Sequence, residues 1–84
     1  MWFIYILQCS DGTLYTGITN NLERRIKQHN DGKGAKYTRG RGPVILLKKF
    51  EVETKSQALK IELQIKSLSK DEKLKFIPKD PDEK

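Results

Sequence analysis

The chain has 84 residues, one Cys and one His, which bounds a single domain with a small core and excludes an internal disulfide or a Cys/His zinc site. No apolar run approaches the roughly 20 residues of a membrane-spanning helix, and residues 1–7 lack the basic start and cleavage site of a signal peptide, so a soluble protein of a reducing, cytoplasmic compartment is expected. The net charge of +6 is concentrated. Residues 20–49 hold nine bases (Arg24, Arg25, Lys27, Lys33, Lys36, Arg39, Arg41, Lys48, Lys49) against Glu23 and Asp31, net +7, a distribution that fits either a nucleic-acid partner or a solubilising face.

Phe3-Ile4-Tyr5-Ile6-Leu7 is a β-branched and aromatic run closed by Ser10-Asp11-Gly12, whose Asp-Gly pair marks a hairpin turn. Residues 13–19 return as a second strand, with Tyr5 and Tyr15 on opposite arms; Gly17 inside that strand signals a bulge or the close approach of another group. Asn20, three residues before Glu23, predicts the cap of a helix from about Leu22 to Asn30, stopped by Asp31-Gly32. At about 100° per residue, Leu22 and Ile26 form its core stripe, Arg25 and His29 share the adjoining shoulder, and Arg24, Lys27 and Gln28 point outward.

Residues 32–43 carry Gly32, Gly34, Gly40 and Gly42 with Lys33, Lys36, Tyr37, Arg39 and Arg41, and read as a long loop. A third strand follows Pro43 over residues 44–47, reaching as far as Val52. Thr54-x-x-Gln57 predicts a capping box and a helix to about Leu68; Ser69-x-x-Glu72 opens a last helix to about Ile77. On the longer helix Ala58, Ile61, Ile65 and Leu68 cover one apolar arc and Leu59 and Leu63 a second, with Glu62 and Lys66 between them. The order β-β-α-β-α-α predicts a small α+β domain over residues 1–77: a three-stranded, mainly antiparallel sheet with flanking helices. Residues 78–84 read as a polar tail.

Several side chains in this pattern could carry chemistry. Strand tyrosines ordinarily pack with the hydroxyl at an edge, but Tyr5 or Tyr15 could act as a general base if a nearby cation lowered its pKa. Arg25 is the cation that the pattern offers, and His29 follows it by one turn. Glu62, set between apolar arcs, needs a partner: Lys66 at i,i+4, or a hard divalent cation such as Mg²⁺ that keeps much of its water. The basic, glycine-rich loop could hold a phosphate backbone through Lys33, Lys36, Arg39 and Arg41 and stack a base on Tyr37; a mobile charged loop has the same composition.

Taken in order, these residues resemble a GIY-YIG nuclease domain of the small stand-alone bacterial kind, over about residues 2–77. Phe3-Ile4-Tyr5 and Tyr15-Thr16-Gly17 match the two half-motifs, with Phe3 where the family name has Gly and Thr16 in the middle of the second. Asn21-Leu22-Glu23-Arg24-Arg25 resembles the segment whose catalytic arginine falls on Arg25; His29 matches a position often held by His or Tyr, and Glu62 the metal-binding glutamate. The resemblance implies an endonuclease hydrolysing phosphodiester bonds in nucleic acid, DNA ahead of RNA. Its implied parts are Mg²⁺ or Mn²⁺ on Glu62, a tyrosine base, Arg25 on the developing phosphoryl charge and His29 orienting or deprotonating. The alternative is a non-catalytic nucleic-acid-binding module.

Overall fold

The computed structural model describes residues 1–77, with Lys36 described by its backbone alone; the tail expected over 78–84 lies outside the described residues. Strand β1 (Trp2–Gln8) pairs antiparallel with β2 (Leu14–Thr19) on one side and with β3 (Ile45–Val52) on the other, giving the order β2-β1-β3. Helix α1 (Leu22–Asn30) follows the hairpin, and α2 (Lys55–Lys66) and α3 (Lys70–Lys75) close the chain. This is the expected α+β architecture in the expected order.

The central strand explains why residues 3–7 lack polar alternation: β1 is covered on both faces. Ile4 and Ile6 point into one cluster with Ala58 and Ile65 of α2. Tyr5 and Leu7 point into the other, with Cys9 and Val44, against which Leu22 and Ile26 of α1 pack. Each fully buried Ile or Leu contributes on the order of 1.5–3 kcal/mol of transfer free energy, so these few side chains supply much of a small domain's stability.

The hairpin turn forms where Asp-Gly places it. Gly12 takes φ +84, a left-handed conformation that a Cβ disfavours, and Asp11 Oδ1 accepts from the Thr13 amide and hydroxyl. Those bonds, with the charge of Arg41, hold the Asp11 carboxyl below the usual carboxylate range. Helix α1 spans the expected residues, but its cap is Asn21 rather than Asn20: Asn21 is extended and its Oδ1 accepts from Arg24 N at 3.2 Å. Thr19 Oγ1 accepts from the Asn21 amide, which fixes the entry one residue later than the Asn20–Glu23 spacing implied.

The loop is more ordered than its composition indicated. A 3-10 turn forms over Lys36–Thr38, Ser10 N donates to Arg41 O at 2.8 Å, and Val44 N donates to Asn30 Oδ1 at 2.7 Å. Strand β3 starts at Ile45, one residue later than expected, and reaches Val52; it pairs with β1 through a register shift between Ile6 and Leu7. Both later capping boxes form, at Thr54/Gln57 and Ser69/Glu72, but α2 ends at Lys66 and α3 at Lys75, each short of the expected Leu68 and Ile77. The second apolar arc of α2 is not covered: Leu59 and Leu63 are exposed, Leu63 at 68%.

Candidate active site

The polar centre of the molecule lies on the face of the sheet that α1 covers. Tyr5 and Tyr15 reach it from the two arms of the hairpin, their ring centroids 6.3 Å apart, and His29 reaches it from the last turn of α1, 5.8 and 5.3 Å from the two rings. Such close approach needs a strand position without a side chain. Tyr5 lies opposite Gly17 in the register, and a Cβ on Gly17 would sit 2.5 Å from Tyr5 Oη and 3.0 Å from Tyr15 Cε2, which is the close approach anticipated from a glycine within β2. Gly34 does the same from the loop, because a Cβ there would fall on His29 Nδ1 and Cγ.

Hydrogen bonding favours one arrangement of the protons. Thr38 Oγ1 donates its single proton to Ala35 O at 2.9 Å, so toward His29 Nδ1, 2.8 Å away, it can only accept. Nδ1 therefore carries the imidazole proton and Nε2 carries a lone pair. Tyr5 Oη, 2.9 Å from Nε2, is then the donor in that bond. The result is a directed chain from Tyr5 through His29 and Thr38 to the Ala35 carbonyl, with Tyr5, His29 and Thr38 each about 1% exposed.

Electrostatics keep this chain neutral. Burial pushes the Tyr5 hydroxyl up to about 12; the Arg25 guanidinium pulls it down, while Tyr15 and Glu62 add to the rise. Burial first and the charge of Arg25 second push His29 down to about 4. The idea that Arg25 would make a tyrosine an easily ionised base therefore does not hold for Tyr5, because desolvation outweighs the nearby cation. Arg25 itself is held by donating from Nη1 to Gln28 Oε1 at 3.1 Å, so Gln28, expected to point outward, is half-buried.

Glu62 projects from α2, near enough for its charge to act on Tyr5. Its side chain is only 15% exposed, and its ion pair with Lys66, itself 51% exposed, is long at 3.6 Å. Among the described residues no three His, Cys, Asp or Glu side chains gather into a ligand cage. A largely buried carboxylate with a loose partner, outside any three-ligand cage, fits a cation that completes its shell with water and substrate oxygens, as Mg²⁺ does.

The loop residues divide. Tyr37 stacks on Tyr15 with centroids 5.8 Å apart, and its ring also carries the Arg41 guanidinium 4.6 Å away. Arg41 in turn donates to Asp11 Oδ2 at 2.6 Å. Tyr37 and Arg41 thus line the site although Tyr37 stays exposed, and Lys33 and Arg39 are exposed on the same loop. Tyr5, Tyr15, Arg25 and His29 converge, whereas Glu62 on α2 reaches them only through its charge on Tyr5; Thr38 and Gly34 complete the arrangement without any signal in the sequence, since their partner lies across a loop from them.

A β-hairpin that presents two tyrosines to an arginine and a histidine of the next helix, with a glutamate from the later one, is the organisation of the GIY-YIG family. Residues 1–75 match the family description "GIY-YIG catalytic domain", and the chain belongs to that family. Its relatives include UPF0213 proteins of Oceanobacillus iheyensis, 57% identical with 89% of this chain and 87% of the relative covered, and of Clostridium perfringens, 56% identical with 92% and 83% covered. Among solved structures, the UPF0213 protein BH0048 from Bacillus halodurans is similar at a TM-score of 0.56 and 47% identity, covering 89% of this chain and 81% of its own. The protein EF2693 from E. faecalis gives 0.61 and 43%, covering 87% and 78%.

Proposed function

We infer that this chain is a metal-dependent endonuclease that hydrolyses phosphodiester bonds in nucleic acid, DNA ahead of RNA. Membership of a family typical of endonucleases supports the reaction class. The observation that carries the reading is the 2.9 Å contact between Tyr5 Oη and Nε2 of buried His29, taken with Tyr5 as the donor because the Thr38 hydroxyl proton goes to Ala35 O.

A neutral tyrosine with a pKa near 12 is a poor base on its own at pH 7. Passing its own proton on as it receives another removes that obstacle. As water attacks phosphorus, Tyr5 Oη takes the water proton while its original proton moves to His29 Nε2; the new P–O bond forms, and the bond to the leaving nucleotide oxygen breaks. No free tyrosinate is required, and only the small ring of His29 gains charge. Burial first and Arg25 second lower the basicity of His29 in the free protein; an anionic phosphate beside Arg25 offsets the second of these, so substrate binding shifts the balance toward the transfer. Arg25 also faces the phosphoryl oxygens where charge builds. Glu62 would hold the divalent metal, Mg²⁺ or Mn²⁺, which when bound supplies Lewis-acid polarisation of the phosphate and stabilises the leaving oxygen. Tyr15, half-buried at the mouth of the site, orients the nucleophile from beside Tyr5.

The test is incubation of purified protein with branched, duplex and single-stranded substrates, with Mg²⁺, Mn²⁺ or EDTA. Cleavage that requires metal and is lost in His29→Ala is the expected outcome. Tight binding of the same substrates with no cleavage under any metal would assign the chain to nucleic-acid binding without catalysis.

A further inference from the structure

A cleft of about 300 Å³ opens beside the site, between the start of β1, the end of β2 and the first turns of α1. That volume lies at the lower end of ligand pockets, roughly 300–1,000 Å³. Trp2, Asn20, Asn21, Arg24, Arg25 and Gln28 contribute to its lining, and among the described residues none of the lining is acidic. Arg25 belongs to both places: it lines this cleft and acts by its charge on Tyr5 and His29. A third cation lies by the Trp2 ring, Lys55 Nζ 5.5 Å from its centroid, though Lys55 does not itself line the cleft.

We propose that this cleft is a subsite for one unpaired nucleotide flanking the scissile phosphate, its base against Trp2 and its phosphate between Arg24 and Lys55. This rests on the nuclease reading and adds where the strand lies. Each wall fits part of such a ligand. The indole offers an aromatic surface for any base, the amides of Asn20, Asn21 and Gln28 offer donors and acceptors for base edges, and Arg24 and Lys55 offer charge for phosphate. A base entering over the indole displaces the Lys55 ammonium, which is left beside the incoming phosphate. The cleft lies at the N-terminal end of α1, while the loop that carries exposed Lys33 and Arg39 adjoins its C-terminal end. A strand along this helix crosses the tyrosine site between them. Nine helical residues extend about 13 Å.

The chain has one Trp, so occupancy can be read directly. The full chain in EDTA, which prevents cleavage, is titrated with a short end-labelled oligothymidylate while Trp2 emission and label anisotropy are followed together. Emission should fall in a saturable way with the midpoint of the anisotropy change, and Arg24→Ala, an exposed helix position, should weaken both about tenfold. Inorganic pyrophosphate at matched concentration should leave the emission unchanged. Binding by anisotropy with silent Trp2, or with unaltered affinity in Arg24→Ala, overturns the subsite and leaves the nuclease reading intact. Quenching by pyrophosphate alone refutes the base contact. Absence of any anisotropy change refutes the nucleic-acid reading itself, and the subsite with it.

Discussion

Replacing Thr38 with Val tests the proton arrangement on which the mechanism depends. Val matches the shape of Thr but cannot accept from His29 Nδ1, which is now 2.8 Å from an oxygen. The buried N–H then has no partner, at a cost of about 1–3 kcal/mol, each kcal/mol worth roughly 4–8 °C in Tm for a domain of this size. The larger effect is on the tautomer. With nothing to hold the proton at Nδ1 it redistributes to Nε2, which then donates to Tyr5 rather than accepting from it, and the acceptor for the tyrosine proton is gone. General acid–base steps contribute about 10²–10⁴-fold, so cleavage should fall by at least about 10²-fold. Because the chain has one His, nitrogen NMR of the imidazole reports the tautomer without ambiguity. The wild type should show Nδ1–H and an unprotonated Nε2 at neutral pH, Thr38→Val a shift toward Nε2–H, and Thr38→Ser the wild-type pattern with activity restored. A wild-type spectrum with the proton on Nε2, or undiminished cleavage in Thr38→Val, would falsify the relay.

Four further outcomes follow from the same geometry. His29 is held down to about 4 from 6.5, so the unfolded chain binds the extra proton: the stability this gives is complete above pH 6.5 and is lost as pH falls through about 4. Urea unfolding at stepped pH should show a loss of about 3 kcal/mol across that window, and His29→Gln should flatten it. Arg25→Ala should reduce single-turnover cleavage far more than affinity; an equal fall in both would make Arg25 a phosphate anchor. Glu62→Gln should abolish metal-dependent cleavage and the rise in Tm that Mg²⁺ or Mn²⁺ gives the wild type, while changing metal-free stability little because the pair with Lys66 is long and Lys66 itself is half-exposed. Gly17→Ala should fold yet lose cleavage by about 10²-fold, since its Cβ needs the place of Tyr5 Oη, 2.5 Å away; a crystal structure of the variant with the Tyr5–His29 bond intact would contradict this.

What was legible in the sequence depended on how local its cause was. The Asp-Gly turn, the Thr54 and Ser69 caps and the span of α1 follow from residues within four positions of one another, and they form as read. The Asn20 cap failed by one position because the Thr19 hydroxyl bonds the Asn21 backbone and Asn21 Oδ1 accepts from Arg24 N, a choice between adjacent asparagines that spacing cannot decide. Convergence of Tyr5, Tyr15, Arg25 and His29 was legible because hairpin and helix are consecutive, leaving few ways to fold back. Thr38 was not legible: its role arises from a 3-10 turn in a loop whose glycines and bases look unstructured, and from a partner on another element. Nor was the direction of the Tyr5 shift, because the cation is visible in the sequence and the depth of burial is not.

The double-faced central strand has a consequence for how the site moves. Tyr5 is anchored on β1, whose amides and carbonyls engage both β2 and β3, so its position can be lost only when the whole sheet opens. Thr38 and Arg41 belong to a segment tied to the hairpin and to α1 by a handful of bonds. Segments held by few contacts are the ones that open at less cost than global unfolding. Tyr5 is thus held by the whole sheet, while Thr38, its partner at one remove through His29, is held by a segment with few ties.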